Sequence, residues 1–303
     1  MIKIDLITGF LGAGKTTFLK KYAKYLINQG LNICILENDY GAVNVDMMLL
    51  NELVCDNCNI EMVSGGCDKD CHKRRFKTKL IAMGMKKYDR VIIEPSGIFD
   101  VDEFFDSLYD EPLCNWYEIG NVFSIVDSNS LFLSDDSKYV LGSEISSSGR
   151  IILSKINDNT DIPKITSYLN DCLKFIGCND NVDNRLFIKK WDLLTDDDFK
   201  VLMNSTYREA SFIKKEIIDY SSIYFMNKNY NGENIKKLVY ELFNNNKYGN
   251  IIRIKGFYKE NDCWYQLNAT KNELSISKID NGQDVIIVIG NKLNEENINN
   301  LMK

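Results

Sequence analysis

Gly9-Phe-Leu-Gly-Ala-Gly-Lys-Thr16 is the stretch on which the reading turns. It satisfies the pattern G-x-x-x-x-G-K-[ST] and lies between a strand-like run, Ile2-Lys-Ile-Asp-Leu-Ile-Thr8, and a segment of helical spacing. Glycines let successive backbone N–H groups curl around phosphate oxygens, and a helix that starts there adds the positive end of its dipole. The pattern assigns Gly9, Gly12, Ala13 and Gly14 to the phosphate cradle, with Thr17 next to it, and sends Lys15 to the β- and γ-phosphates. It gives the Thr16 hydroxyl one Mg2+ position.

Outward from this loop, residues 16–29 place Phe18, Leu19, Tyr22, Tyr25 and Leu26 at helical spacing, and Gly30 stops the helix. Further strands are expected over residues 32–37, 90–94, 121–127 and 150–155, with helical patterns at 71–83, 101–109 and 162–175. Strands alternating with helices predict an α/β fold, a parallel P-loop NTPase sheet flanked by helices. After about residue 210 the pattern changes to consecutive strands beside segregated helices. The expected division is therefore a nucleotide domain at 1–210 and a smaller α+β domain at 211–303.

A phosphate-bound Mg2+ needs an acid at the end of a buried strand, and Val91-Ile-Ile-Glu94 supplies one. Glu94-Pro-Ser-Gly97 follows with a glycine whose N–H could sense the γ-phosphate, while Asp39 and Asp46 come after the second strand as further candidates for the metal. A softer site is also suggested. Cys67 and Cys71, four residues apart, would share a face of a helical turn, and His72, the only histidine, could add an imidazole. Such a set favours Zn2+ or Co2+ over Mg2+. The alternative is an ordinary helix start ahead of the basic face Lys73, Arg74, Arg75, Lys77 and Lys79. Cys55-Asp-Asn-Cys58 has C-x-x-C spacing and could close the same site or act as a redox pair.

The net charge is −6 and the basic residues are dispersed apart from Lys73 to Lys79, which argues against nucleic acid as the main partner. No run approaches the roughly 18 apolar residues of a membrane span. The nine cysteines, in a long chain without a recognisable secretion signal, read as free thiols or metal ligands. A cytoplasmic location is the expectation.

Taken together these residues resemble the CobW family of P-loop GTPases, relatives of the nickel-insertion GTPases of urease and hydrogenase. The likeness runs through the loop to Thr17, Asn38-Asp-Tyr-Gly41 with Val45-Asp46, Glu94-Pro-Ser-Gly97 and Ser124-Ile-Val-Asp127. It resumes at Ile252-Arg-Ile-Lys-Gly-Phe257 and Ile289-Gly-Asn-Lys-Leu293. The resemblance implies a GTP-hydrolysing metallochaperone or regulator with GTP and Mg2+ as ligands and a client metalloprotein as partner. It also implies that Ser154-Lys155-Ile156-Asn157 stands where the family reads guanine with Asn-Lys-x-Asp. Asn157 replaces an Asp that would accept from both guanine N–H groups, at a cost of about 1–3 kcal/mol. The family's Gly-Cys-x-Cys-Cys is here Gly66-Cys67-Asp-Lys-Asp-Cys71, so only Cys67 aligns directly. In this reading the C-terminal aromatics Phe257, Tyr258, Trp264 and Tyr265 recognise the client or form core. A small-molecule kinase, or a nucleotide-gated binding protein without transition metal, are the competing classes. Oligomeric state, a homodimer included, is left open.

Overall fold

A computed structural model describes residues 1–39, 49–64, 69–95, 101–129, 135–210 and 220–302. The chain divides into two compact units, Met1–Glu216 and Ile217–Lys303.

The first unit is built on strands β1 (Ile2–Thr8), β2 (Ile33–Asp39), β3 (Cys58–Ser64), β4 (Arg90–Pro95), β5 (Tyr117–Asp127), β6 (Arg150–Ser154) and β7 (Leu186–Phe187). They form one sheet in the order β3-β2-β4-β1-β5-β6-β7, and every pair in it is parallel. The helices in chain order are α1 (Lys15–Asn28), α2 (Lys69–Gly84), α3 (Val101–Tyr109), α4 (Leu113–Trp116), α5 (Asp135–Ser147), α6 (Ile162–Phe175) and α7 (Asp196–Leu202). The phosphate loop leaves the carboxyl end of β1, an inner strand, which is where parallel α/β sheets place ligands.

Period-two alternation divides the sheet into two faces. Ile7, Ile33, Ile35, Ile92, Phe123, Ile125 and Ile152 pack with Phe18, Leu19, Tyr22 and Leu26 of α1. Ile4, Leu6, Cys34, Leu36, Val91, Ile93 and Val122 pack with Phe76, Leu80 and Met83 of α2 and Phe104 of α3. Two strands escape the sequence reading. β3 is an edge strand with polar Asn59 and Glu61 alternating with its apolar residues, and β7 has only two residues.

Asp5, a charged residue inside the first strand, is fully buried. It receives hydrogen bonds from Arg90 Nη1 at 2.6 Å, Tyr22 Oη at 2.8 Å and the Asn121 N–H at 2.7 Å. A Cβ on Gly120 would collide with Asp5 Oδ1, so the strand beside it must carry glycine. Asn121 continues the network to the Met203 carbonyl and the Thr206 N–H.

In the second unit β8 (Tyr220–Met226), β9 (Asn250–Glu260), β10 (Cys263–Thr270), β11 (Glu273–Ile279) and β12 (Val285–Asn291) form an antiparallel sheet ordered β11-β10-β9-β12-β8. Ile235, Val239 and Leu242 of α8 (Gly232–Asn244) and Ile298 of α9 (Glu295–Leu301) share its core. Phe257 and Tyr258 are buried, and Tyr258 stacks on Tyr265 at 5.4 Å. Those two aromatics belong to the core, not to an exposed recognition surface.

Candidate functional site

The phosphate loop is shaped by glycines that no other residue could replace without strain. Gly9 has φ 145° and a Cβ there would collide with the Ile125 carbonyl oxygen. Gly14, at φ 101°, caps α1 and lies against the Trp191 ring, 3.2 Å from where a Cβ would sit. Lys15 is buried, and its Nζ donates to the Gly9 carbonyl at 2.8 Å. The lysine therefore lies folded along the loop it is expected to serve.

Thr16 Oγ1 donates to Glu94 Oε1 at 2.8 Å, across 78 positions of sequence. Glu94 is the last residue but one of β4 and is registered with Glu37 on β2. Both carboxylates are buried and share the α1 face of the sheet with Ile35 and Ile92. A hydroxyl and a carboxylate beside a phosphate loop are the hard oxygen donors Mg2+ takes, so the residues present fit that ion. Glu37 was not singled out from sequence, although its parity with Ile33 and Ile35 on one strand signals it. Asp39 ends β2. Its side chain, with Asp46, Gly97 and Cys67, lies outside the described residues.

On the opposite flank, Ser154 ends β6. Its hydroxyl is buried and donates to the Ala13 carbonyl at 2.6 Å. Ser154 thus tethers the phosphate loop at the start of the segment expected to meet the base. Lys155 follows in the left-handed region at φ 56°, with Nζ 2.8 Å from Asp127 Oδ2. Asn157 is exposed, and its Oδ1 accepts the Asn159 N–H at 2.9 Å. That bond fixes which end of the carboxamide is oxygen, since a backbone N–H can only be accepted. The Nδ2 end is therefore the one turned away from its own loop. Trp191, missed in the sequence, donates Nε1–H to the Leu153 carbonyl at 3.0 Å and packs on Phe18 at 5.8 Å. Lys190 Nζ reaches Asp158 at 2.6 Å, joining the loop after β7 to the loop after β6.

The thiol candidates separate. α2 packs on the face opposite α1, and His72 on it is buried with Nε2 2.7 Å from Asn38 Oδ1. This contact must be given up before that nitrogen can bind a metal. Cys71, one residue earlier, is partly exposed. Cys58 begins β3 in the core on the α1 face, registered with Ile33 at the far end of the sheet from Glu94. Burial pushes its thiol up to about 12, away from the thiolate a metal or redox role needs. Cys55 is exposed and bonds Asn57 Oδ1 at 3.2 Å. Cys55 and Cys58 consequently form a turn into the edge strand and do not join the Cys71–His72 segment. Among the described residues no three His, Cys, Asp or Glu side chains converge as a metal site.

One further group was not legible. Glu144 on α5 is fully buried beneath the loop and its Oε1 accepts from Thr8 Oγ1 at 3.0 Å. It sits in a serine-rich stretch, Ser143-Glu-Ile-Ser-Ser-Ser148, that reads as polar surface.

A parallel sheet whose first strand opens into a glycine-shaped loop, with Lys15 inside it and Thr16 joined to a strand-end carboxylate, defines a P-loop NTPase fold. The family model of the CobW/HypB/UreG nucleotide-binding domain matches residues 3–176, and the chain belongs to that family. It is 28% identical over 163 residues to the zinc chaperone YjiA of Escherichia coli, 51% of this chain and 49% of that protein. It is 27% identical over 154 residues to the zinc-regulated GTPase metalloprotein activator 1 of Dictyostelium discoideum, 43% of this chain and 30% of that protein. The chain spans half or less of the length of these curated relatives. The crystal structure of Zn(II)-bound YjiA GTPase from E. coli aligns over 99% of this chain and 97% of its own, at 20% identity and TM-score 0.37.

Proposed function

We propose that the chain binds Mg–GTP through residues 9–16, hydrolyses it, and uses the cycle to control transfer of a transition metal to a client protein. The observation that carries this reading is the Thr16–Glu94 hydrogen bond beside the buried ammonium of Lys15. Lys15 exchanges the Gly9 carbonyl for phosphate oxygens, so the ammonium keeps a partner throughout and the exchange costs little. Thr16 Oγ1 and Glu94 would hold Mg2+, which would supply positive charge to the phosphates. Glu37, on the same face, stands ready to orient water or complete the charge balance. Zinc is the cargo favoured by the likeness to the zinc chaperone YjiA. A cytoplasmic location and a client metalloprotein follow from the same reading.

The test is binding and turnover of Mg–GTP followed by product analysis. Wild type is expected to release phosphate to water, and Lys15→Ala to lose about tenfold or more in affinity. Phosphate recovered on an acceptor would replace hydrolysis with transfer. Absence of binding would sink the proposal.

A further inference from the structure

Beneath the phosphate loop lies a carboxyl group to which the nucleotide reading gives no task. Glu144 Oε1 accepts from Thr8, the last residue of β1, and the chain enters the loop at Gly9 immediately afterwards. Its Oε2 and the hydroxyl of Ser124 are buried without a hydrogen-bond partner among the described residues. Thr8 and Ser124 are registered neighbours on β1 and β5, so their side chains share one face of the sheet. Ser124 is thus placed on the side from which Glu144 meets Thr8.

Charge decides what this position tolerates. Burial disfavours the carboxylate, while Lys15, the Thr8 hydrogen bond and the Gly9 N–H favour it; burial is the larger effect, and Glu144 is pushed up to about 7. Lys15 is the charged group that acts on it. Other titratable or charged groups described on elements packed against α5 are Asp106 and Tyr109 on α3, Lys164, Tyr168, Asp171, Cys172 and Lys174 on α6, and Tyr117, Glu118 and Asp127 on β5. Cys172 is buried with its thiol pushed up to about 11, hence neutral here. Asp106, Tyr109, Glu118, Lys164, Asp171 and Lys174 are exposed, Tyr168 is half-buried, Tyr117 donates its hydroxyl to the Leu80 carbonyl, and Asp127 is paired with Lys155.

Lys15 now donates to the Gly9 carbonyl, one residue from Thr8. A bound phosphate draws that ammonium onto itself and sets several negative charges above Glu144. Both changes favour the neutral acid, whose O–H can find an acceptor in Ser124. We propose that Glu144 is a positioning residue of the phosphate loop that takes up one proton from solvent when a nucleoside di- or triphosphate binds. The proposal rests on residues 9–16 being a nucleotide site. Because binding takes up a proton, affinity falls as pH rises above about 7, approaching tenfold per pH unit while the bound form stays protonated.

Glu144→Gln keeps an acceptor for Thr8 and carries an N–H where the acid carries O–H, so it fixes the neutral state. The experiment is calorimetric titration with Mg–GDP between pH 6.5 and 8.5, in HEPES and in Tris, whose ionisation heats differ. Wild type is expected to weaken about tenfold across this range, with a buffer-dependent heat showing proton uptake; E144Q is expected to bind with neither. Wild type and E144Q alike in both respects would overturn the proposal and leave the nucleotide site standing. No binding by wild type would overturn both. Should E144Q not fold, carboxyl-13C NMR of glutamate-labelled wild type reads the same event: one buried Glu must titrate at higher pH with Mg–GDP than without. A midpoint that does not move overturns the proposal.

Discussion

The Ser154 hydroxyl and the Ala13 carbonyl, 141 positions apart in sequence, are joined by a 2.6 Å hydrogen bond. This bond ties the turn of the phosphate loop to the end of β6, where the segment expected to meet the base begins. Ala13 sits just before the residues that carry the phosphate chemistry, so the tether sets the loop's curvature before ligand arrives. Ser154→Ala removes it and leaves a buried carbonyl short of a donor. The expected effect is about 1 kcal/mol, a roughly fivefold weaker affinity for Mg–GDP, with little change in fold. Isothermal titration beside circular dichroism separates the two, and an unchanged affinity would remove the tether from the binding account.

Base selectivity should be narrow. With the base against residues 155–160, Asn157 is expected to present Nδ2 to it, since Oδ1 already accepts the Asn159 N–H. A donor there meets the two donors of guanine, but suits the C2 carbonyl of xanthine. Asn157→Asp is expected to tighten GTP relative to XTP by about tenfold or more. Competition of GTP, XTP and ATP for both proteins measures this. A ratio that does not move would place the base elsewhere.

The buried Asp5–Arg90 pair is costly to break. Both side chains are at or below 4% exposure, and Tyr22 and Asn121 complete the oxygen atoms' bonds. Asp5→Ala strands a buried guanidinium, and a loss of about 3–5 kcal/mol is expected in urea denaturation. A loss below about 1 kcal/mol would mean that water reaches Arg90.

Glu144 also makes stability depend on pH. Its folded value, about 7 against the ordinary 4.5, means the unfolded chain gives up this proton first. The native state is therefore favoured at low pH by this group and loses that advantage as pH climbs from about 4.5 to 7, by ~3 kcal/mol. Glu144→Gln should flatten this part of the profile in thermal melts. A wild-type curve that rises as steeply as the variant's over this interval would refute the assignment.

Co2+ tests the softer site. Reduced protein is expected to give an intense thiolate–Co2+ band that responds to Mg–GTP and is lost in Cys67→Ser. Cys58→Ser should leave the band unchanged, since Cys58 faces the core on the other side of the sheet. Loss of the band in Cys58→Ser would contradict that separation.

The phosphate loop, its helix and the inner strands were legible because each combines a local signal with burial. Residues 9–16 must supply glycines whatever surrounds them, and β4 and the end of β5 are apolar runs. β3 was illegible because an edge strand needs only one partner, so Asn59 and Glu61 could stay polar. Asp5, Glu144 and Trp191 were illegible for another reason. Their roles depend on partners 85, 136 and 38 positions away, and no window of sequence holds both ends of such a contact. Cys55 and Cys58 show the converse: a suggestive spacing that turns out to make a tight turn.

Glu37 and Asn38 are neighbours at the end of β2, yet the pleat sends them to opposite faces, one beside Glu94 and the other to His72. The consequence is mechanical. Whatever rotates this strand end on the magnesium side must turn the other way on the side of the cysteine-bearing helix, like the two pans of a balance on one beam. Glu37 and Asn38 thus bring the two faces of the sheet within one peptide bond of each other.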